Sequence, residues 1–214
     1  MSFAVPPVAL AASPARVALV APASRTIDLR NAGATALVVD VPRTKPWISV
    51  RPRQLVLGAR SHAHVTLRVR KGVPGDHQLL VLFSARPRET GRVAVRIRLG
   101  LRLRIHVPGR VVRRLEVQRL QVRSRKRVRL LLLAVANRGN VAEQLRGLAT
   151  VTLFRGGRLL SRLRPRVRGE LFPGARAVLA MPYSGGARGF VTAVVTIRPG
   201  GGVPTLVRRY RLRL

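Results

Sequence analysis

Along most of this chain, apolar and polar residues alternate with a period of two. From His62 to Arg70, Ala63, Val65, Leu67 and Val69 fall on one side and His64, Thr66, Arg68 and Arg70 on the other. That is the pattern of an antiparallel strand with one face in a core and one in solvent. The longest such run gives Val93, Val95, Ile97, Leu99, Leu101, Leu103, Ile105 and Val107 one parity and Arg96, Arg98, Arg102, Arg104 and His106 the other. As a single strand it would span roughly 50 Å, so Gly100 at its middle is expected to mark a bulge, a bend or a change of sheet. In the first half, further strands are predicted near Phe3 to Leu10, Ala15 to Val20, Arg25 to Asn31, Ala36 to Val41, Trp47 to Arg51 and Gln78 to Ala85. The second half predicts them near Val111 to Val122, Arg127 to Ala136, Leu148 to Phe154, Arg158 to Leu163, Ala175 to Tyr183, Phe190 to Arg198 and Thr205 to Leu214. Gly156-Gly157 joins two of these as a hairpin, because Gly-Gly accepts the positive φ of a two-residue primed turn. No long 3.6-residue period occurs, and Pro and Gly punctuate the chain throughout, which leaves no room for long helices.

The same landmarks occur twice in the same order. A strand-like run ends in Asn31-Ala32-Gly33, and another ends in Asn137-Arg138-Gly139. Gly-Ala-Arg follows each, at Gly58 and at Gly174, and both copies then reach a glycine-containing turn and a β-rich run. Both asparagines read as turn residues, since Asn tolerates the left-handed region and bonds its own backbone. The two copies predict two small domains, residues 1–108 and 109–214, divided at Pro108-Gly109. Short strands with turns at this spacing describe an all-β fold of two tandem immunoglobulin-like antiparallel β-sandwich domains. The Asn-to-Gly spacing is 27 residues in the first copy and 37 in the second, so the second carries an insertion, expected around Gly156-Gly157.

Composition adds one strong fact. The 214 residues hold 42 basic and 7 acidic side chains, a formal charge of +35, and all the basic ones but Lys45, Lys71 and Lys126 are arginine. Such a surface attracts polyanions, including nucleic acid, anionic lipid and cell-wall polymers, whatever the fold beneath it. Cysteine is absent, which excludes disulfides and thiolate metal sites. No apolar run reaches the ~20 residues of a membrane-spanning helix, so no transmembrane segment is expected. Met1 to Ser13 lacks a basic n-region and carries Pro6 and Pro7 in its apolar part, so it reads as a first strand rather than as an export signal.

Several stretches together resemble a family. They are Ser13 to Val17, Ile27 to Gly33, Trp47 to Pro52, Val73 to His77 with Leu80 to Phe83, and Leu103 to Gly109. This chain is similar in them to the WxL-interacting proteins of Gram-positive bacterial surfaces. Those proteins pair a pilus-chaperone-like immunoglobulin-fold domain with a second β-sandwich. The resemblance implies a peptidoglycan-binding first domain, a second domain that binds a host protein, and an extracellular or cell-surface location. The family's export signal and C-terminal anchor are not evident here. Periplasmic pilus chaperones share the fold, and the same resemblance then implies that the Val93 to Val107 run lends an exposed strand to a subunit. Arg16, with Arg102 or Arg104, would hold that subunit's terminal carboxylate. The plainer reading of the run is the last core strand of the first domain.

Catalysis needs titrating groups held together. The acids Asp28, Asp40, Asp76, Glu89, Glu116, Glu143 and Glu170 are scattered, and most are expected to neutralise an arginine or sit in turns, as Asp76 does after Gly75. His62 and His64 share a strand face, but two imidazoles with no evident third ligand make a poor metal site. No phosphate loop or nucleophile motif is present, so neither an enzyme nor a cofactor is expected. Specific nucleic-acid binding lacks its stacking aromatics and its motifs. The reading that remains is a binding or scaffold protein. Its candidate contacts are the strand-face residues Arg96, Arg98, Arg102 and Arg104 and the turn cluster Arg123, Arg125, Lys126 and Arg127. The expected partner is a cell-wall polymer or a surface protein, with nonspecific polyanion binding left open.

Overall fold

The computed structural model describes residues 8–41, 43–88, 95–125 and 128–214, and its chain divides into two compact units, Met1–Gly109 and Arg110–Leu214. Among the described residues every regular element is a strand. The first unit contains β1 (Leu10–Ser13), β2 (Arg16–Val20), β3 (Ala23–Asn31), β4 (Leu37–Asp40), β5 (Ile48–Arg51), β6 (Gln54–Leu57), β7 (His62–Val69), β8 (Gly75–Pro87) and β9 (Ile97–Val107). They form two sheets, ordered β1-β3-β7-β5 and β2-β9-β8-β4-β6. The inward residues alternate as the sequence predicts, and Ile27, Leu29, Val65, Leu67, Phe83, Leu101, Leu103 and Ile105 are sealed between the sheets. Each such side chain contributes roughly 1.5–3 kcal/mol of burial.

The second unit contains β10 (Leu115–Arg125), β11 (Val128–Asn137), β12 (Glu143–Gln144), β13 (Ala149–Arg155), β14 (Arg158–Leu163), β15 (Glu170–Leu171), β16 (Arg176–Tyr183), β17 (Phe190–Ile197) and β18 (Leu206–Arg213). Its sheets are β10-β11-β16 and β14-β13-β17-β18, with the short pair β12-β15 beside them, around a separate core. Both units are immunoglobulin-like sandwiches, and among the described residues their strands pair antiparallel except at one place. There β1 pairs with β3 in one sheet, the chain passes through Pro14, and β2 pairs parallel with β9 in the other.

The Asn-x-Gly landmarks occupy matching positions, and they do more than turn the chain. Both asparagines are fully buried, at 0% exposure. Asn31 Nδ2 donates to the carbonyls of Thr35 (2.8 Å) and Gly58 (2.7 Å), and Gly33 N donates to its Oδ1 (3.0 Å). Asn137 repeats the set with Val141 (2.7 Å), Leu171 (2.8 Å) and Gly139 (2.9 Å). Neither has positive φ, so it is the amide's hydrogen-bonding capacity that selects Asn here. Gly139 is required as well, because a Cβ there would collide with the Val112 carbonyl oxygen.

Four sequence expectations change. The Gly-Ala-Arg landmarks are out of phase: Asn31 N donates to Ser61 O and Asn137 N to Ala175 O, which sets left-handed Arg60 (φ 53°) against left-handed Gly174 (φ 76°). Gly100 marks no bulge, since β9 pairs with β8 in unbroken register from Gly75↔Val107 to Ala85↔Ile97. The glycine instead leaves a dimple under Leu80, whose Cδ1 would lie 2.9 Å from a Cβ. Strands β6, β12 and β15 were not expected, and the last two, of two residues each, are too short to show a period. Asp76 sits in β8 opposite His106 rather than in a turn. The predicted Gly156-Gly157 hairpin is present with φ of 52° and 81°.

Candidate functional site

The outward face of the β2-β9-β8-β4-β6 sheet gathers the candidate chemistry. Cross-strand register sets it out in rows, and side chains opposite one another lie close enough to act together. Arg16, Arg102 and Leu80 form one row, and Ala18, Arg104 and Gln78 the next. Gly100 lies opposite Leu82, and Arg98 opposite Ser84, which in turn faces Asp40 and Gln54. At the other end Val20, His106 and Asp76 align, with His106 Nδ1 2.7 Å from Asp76 Oδ1. The face is therefore an apolar centre, Leu80 and Leu82 at 57% and 37% exposure, between arginines. Concavities open on it. One of about 710 Å³ is lined by Leu82, Ser84, Asp40, Gln54, Arg96 and Arg98 among others, and one of about 300 Å³ by Ala18, Val20, Asp76, Arg104 and His106.

The edge of β9 is uneven. On one side β8 covers its full length, whereas on the other β2 covers only Arg102–His106. No described strand pairs with Ile97–Leu101 on that second side, because β1 turns away to join β3. Leu101, Leu103, Ile105 and Val107 are core residues, while Ile97 and Leu99 are half-buried. The long alternating run is thus a core strand over its second half, and over Ile97–Leu101 an edge that no described strand covers. Residues 91–94, the start of the predicted run, lie outside the described residues.

Arg96, Arg98, Arg102 and Arg104 are all exposed, the last three on one face of β9, with Arg96 immediately before it. Among the described residues neither Arg16 nor Arg102 has an acidic side chain within ion-pair distance. Two adjacent unpaired guanidinium groups make a receptor for a carboxylate or another anion, which each can hold by paired N–H donors. The second basic cluster belongs to the other unit. Arg123 is exposed on β10, Arg125 ends that strand, and Lys126 and Arg127 lie outside the described residues. Sequence reading overlooked Leu80 and Leu82, which look like ordinary core positions of β8 until the sheet shows which side they take.

The acidic residues are largely accounted for by neighbours. Asp40 accepts from Gln54 at 2.7 Å and lies 4.0 Å from Arg86. Glu143, nearly sealed, accepts from Arg113 at 2.8 Å and from Gly200 N at 2.9 Å. The hydrogen bond and charge of Arg138, 2.7 Å away, hold the exposed Glu116 carboxyl below its ordinary pKa.

No family model matches the chain, and no curated protein matches it by sequence. The WxL-interacting resemblance therefore gains no support from either. Solved structures do match over nearly the whole length. The class 5 fimbriae chaperone CfaA is 12% identical with a TM-score of 0.54, covering 94% of this chain and 98% of its own. A chaperone–tip adhesin complex of CFA/I fimbriae biogenesis is 13% identical with a TM-score of 0.52, again covering 94% of this chain and 98% of the other. At this identity the likeness is one of fold: this chain has the two-sandwich, immunoglobulin-like architecture found in pilus chaperones.

Proposed function

We propose that this protein is an exported, non-enzymatic chaperone-like binder that receives an extended apolar segment of a partner protein along the open edge of β9. The observation that carries the reading is the half-covered strand: Ile97–Leu101 with no described strand on its second edge, near the Leu80–Leu82 patch, with Arg16 and Arg102 next along the same face. An added strand gains backbone hydrogen bonds from the edge and side-chain burial from the apolar face. The arginines would take up a carboxylate at its end. The fold shared with fimbrial chaperones, one of them in complex with a tip adhesin, supports a protein subunit as the partner. In this reading residues 1–108 form the receiving domain and residues 109–214 a second sandwich with its own hairpin. The cell-wall polymer reading of the same arginines is the competing outcome.

Site-specific photocrosslinking tests the two. A photoreactive residue replaces Arg98 on this face or, as a control, Thr66 on the opposite sheet, and the crosslinked peptides are sequenced. The expected result is one exported protein, crosslinked through an alternating apolar segment from position 98 and not from 66. Equal crosslinking from both positions would overturn the proposal. So would co-sedimentation with purified cell wall that persists at salt where DNA binding has vanished, without any position-98 protein adduct.

A further inference from the structure

On the other sheet of the first unit, the geometry points to a binding site for a zinc-class divalent transition-metal ion, formed by Asp28, His62 and His64. The strand period sets His62 and His64 on one outward face of β7, and the register places Asp28 of β3 directly opposite His64. Each residue offers one ligand atom, and all three atoms lie within 4.8 Å of one another. Ligands of a tetrahedral ion bound at ~2.0–2.1 Å stand about 3.4 Å apart, so small rotations of these side chains close the set. Both imidazoles are exposed and their rings meet edge to face at 5.9 Å, which leaves them free to turn.

A separate observation asks for a cation here. Asp28 Oδ1 is shut off from solvent and accepts no hydrogen bond, although His64 Nδ1 stands 3.5 Å away. The Asp28 side chain as a whole is 37% exposed, so it is this one oxygen that a metal ion shared with the two imidazoles would satisfy. Two imidazoles and one carboxylate suit zinc, nickel and copper rather than magnesium or calcium, with water completing the shell. Opposing it are Arg30, which lies opposite His62 on the same face, and the +35 net charge. Distant charges are largely screened beyond ~8 Å at physiological salt, so Arg30 is the main local opponent.

The test is zinc titration of the intact, untagged chain by competition with a chromophoric chelator at neutral pH. The expected result is one Zn²⁺ per chain, with affinity falling about tenfold or more in His62→Ala, His64→Ala and Asp28→Asn and unchanged in His77→Gln. Because these variants alter the surface, NMR of the unmodified protein provides a second readout: zinc should shift the imidazole signals of His62 and His64 and leave that of His77. Zinc binding indifferent to Asp28→Asn, or no imidazole shift at saturating zinc, would overturn the site and leave Asp28 and His64 as a plain ion pair.

Discussion

The two buried asparagines make the most demanding quantitative prediction. Asn31→Ala removes the partner of the buried Gly33 N–H and of the partly buried Thr35 carbonyl, while the Gly58 carbonyl keeps the Ser61 hydroxyl, which donates to it at 2.8 Å. Asn137→Ala strands two fully buried carbonyls, Val141 and Leu171, and the partly buried Gly139 N–H. At roughly 1–3 kcal/mol for each unsatisfied group, scaled by burial, the losses come to about 3 kcal/mol for Asn31, with two groups stranded, and about 5 kcal/mol for Asn137, with three. Either is a large share of the ~5–15 kcal/mol that holds a domain folded. The chain supplies its own assay, because its single tryptophan, Trp47, lies in the first unit. In a urea titration of the full chain, tryptophan fluorescence reads the first sandwich and far-ultraviolet circular dichroism reads both. Asn31→Ala should move the fluorescence transition by several molar urea, at ~1 kcal/mol per molar for a unit of this size. Asn137→Ala should leave fluorescence in place and move only the dichroism. A loss below about 1 kcal/mol, or a fluorescence shift from Asn137→Ala equal to that from Asn31→Ala, would refute the reasoning.

Leu80→Asp with Leu82→Asp should abolish partner crosslinking from position 98 while leaving the thermal midpoint within a few degrees, since both side chains already face solvent. Glu143→Ala leaves the mostly buried Arg113 guanidinium and the Gly200 N–H without their acceptor, and should cost the second unit about 3 kcal/mol in urea denaturation. Glu116, whose pKa Arg138 lowers, adds stability that is present above the unfolded carboxylate pKa and lost as pH falls through the folded one. Glu116→Gln should therefore flatten the acid limb of the stability–pH curve of the second unit below about pH 4.5.

Much of the architecture is legible in the chain because the strand period is local. The face of β7, the hairpin at Gly156-Gly157 and the core parity of β9 each follow from residues a few positions apart. Short strands escape this logic, and so does the phase of the repeat. Gly-Ala-Arg recurs by composition, whereas the hydrogen bonds of Asn31 and Asn137 reach 27 and 34 residues onward to their true counterparts. Gly100 misled for a related reason: within a strand, glycine marks either a bend or a close neighbour, and only the packed sheet shows that neighbour to be Leu80, one pair along from the Leu82 directly opposite.

The candidate sites divide the same way. Sequence alone determined that the protein is two all-β sandwiches, that its arginines project from strand faces, and that two histidines share one of those faces, because alternation is a property of consecutive residues. Tertiary structure decided which edge of β9 no described strand covers, that Arg16 joins Arg102 beside an apolar patch, and that Asp28 lies beside His62 and His64. Those are pairings between strands, set by which sheets the chain enters and in what register, and a one-residue slip would send every one of these side chains to the opposite face.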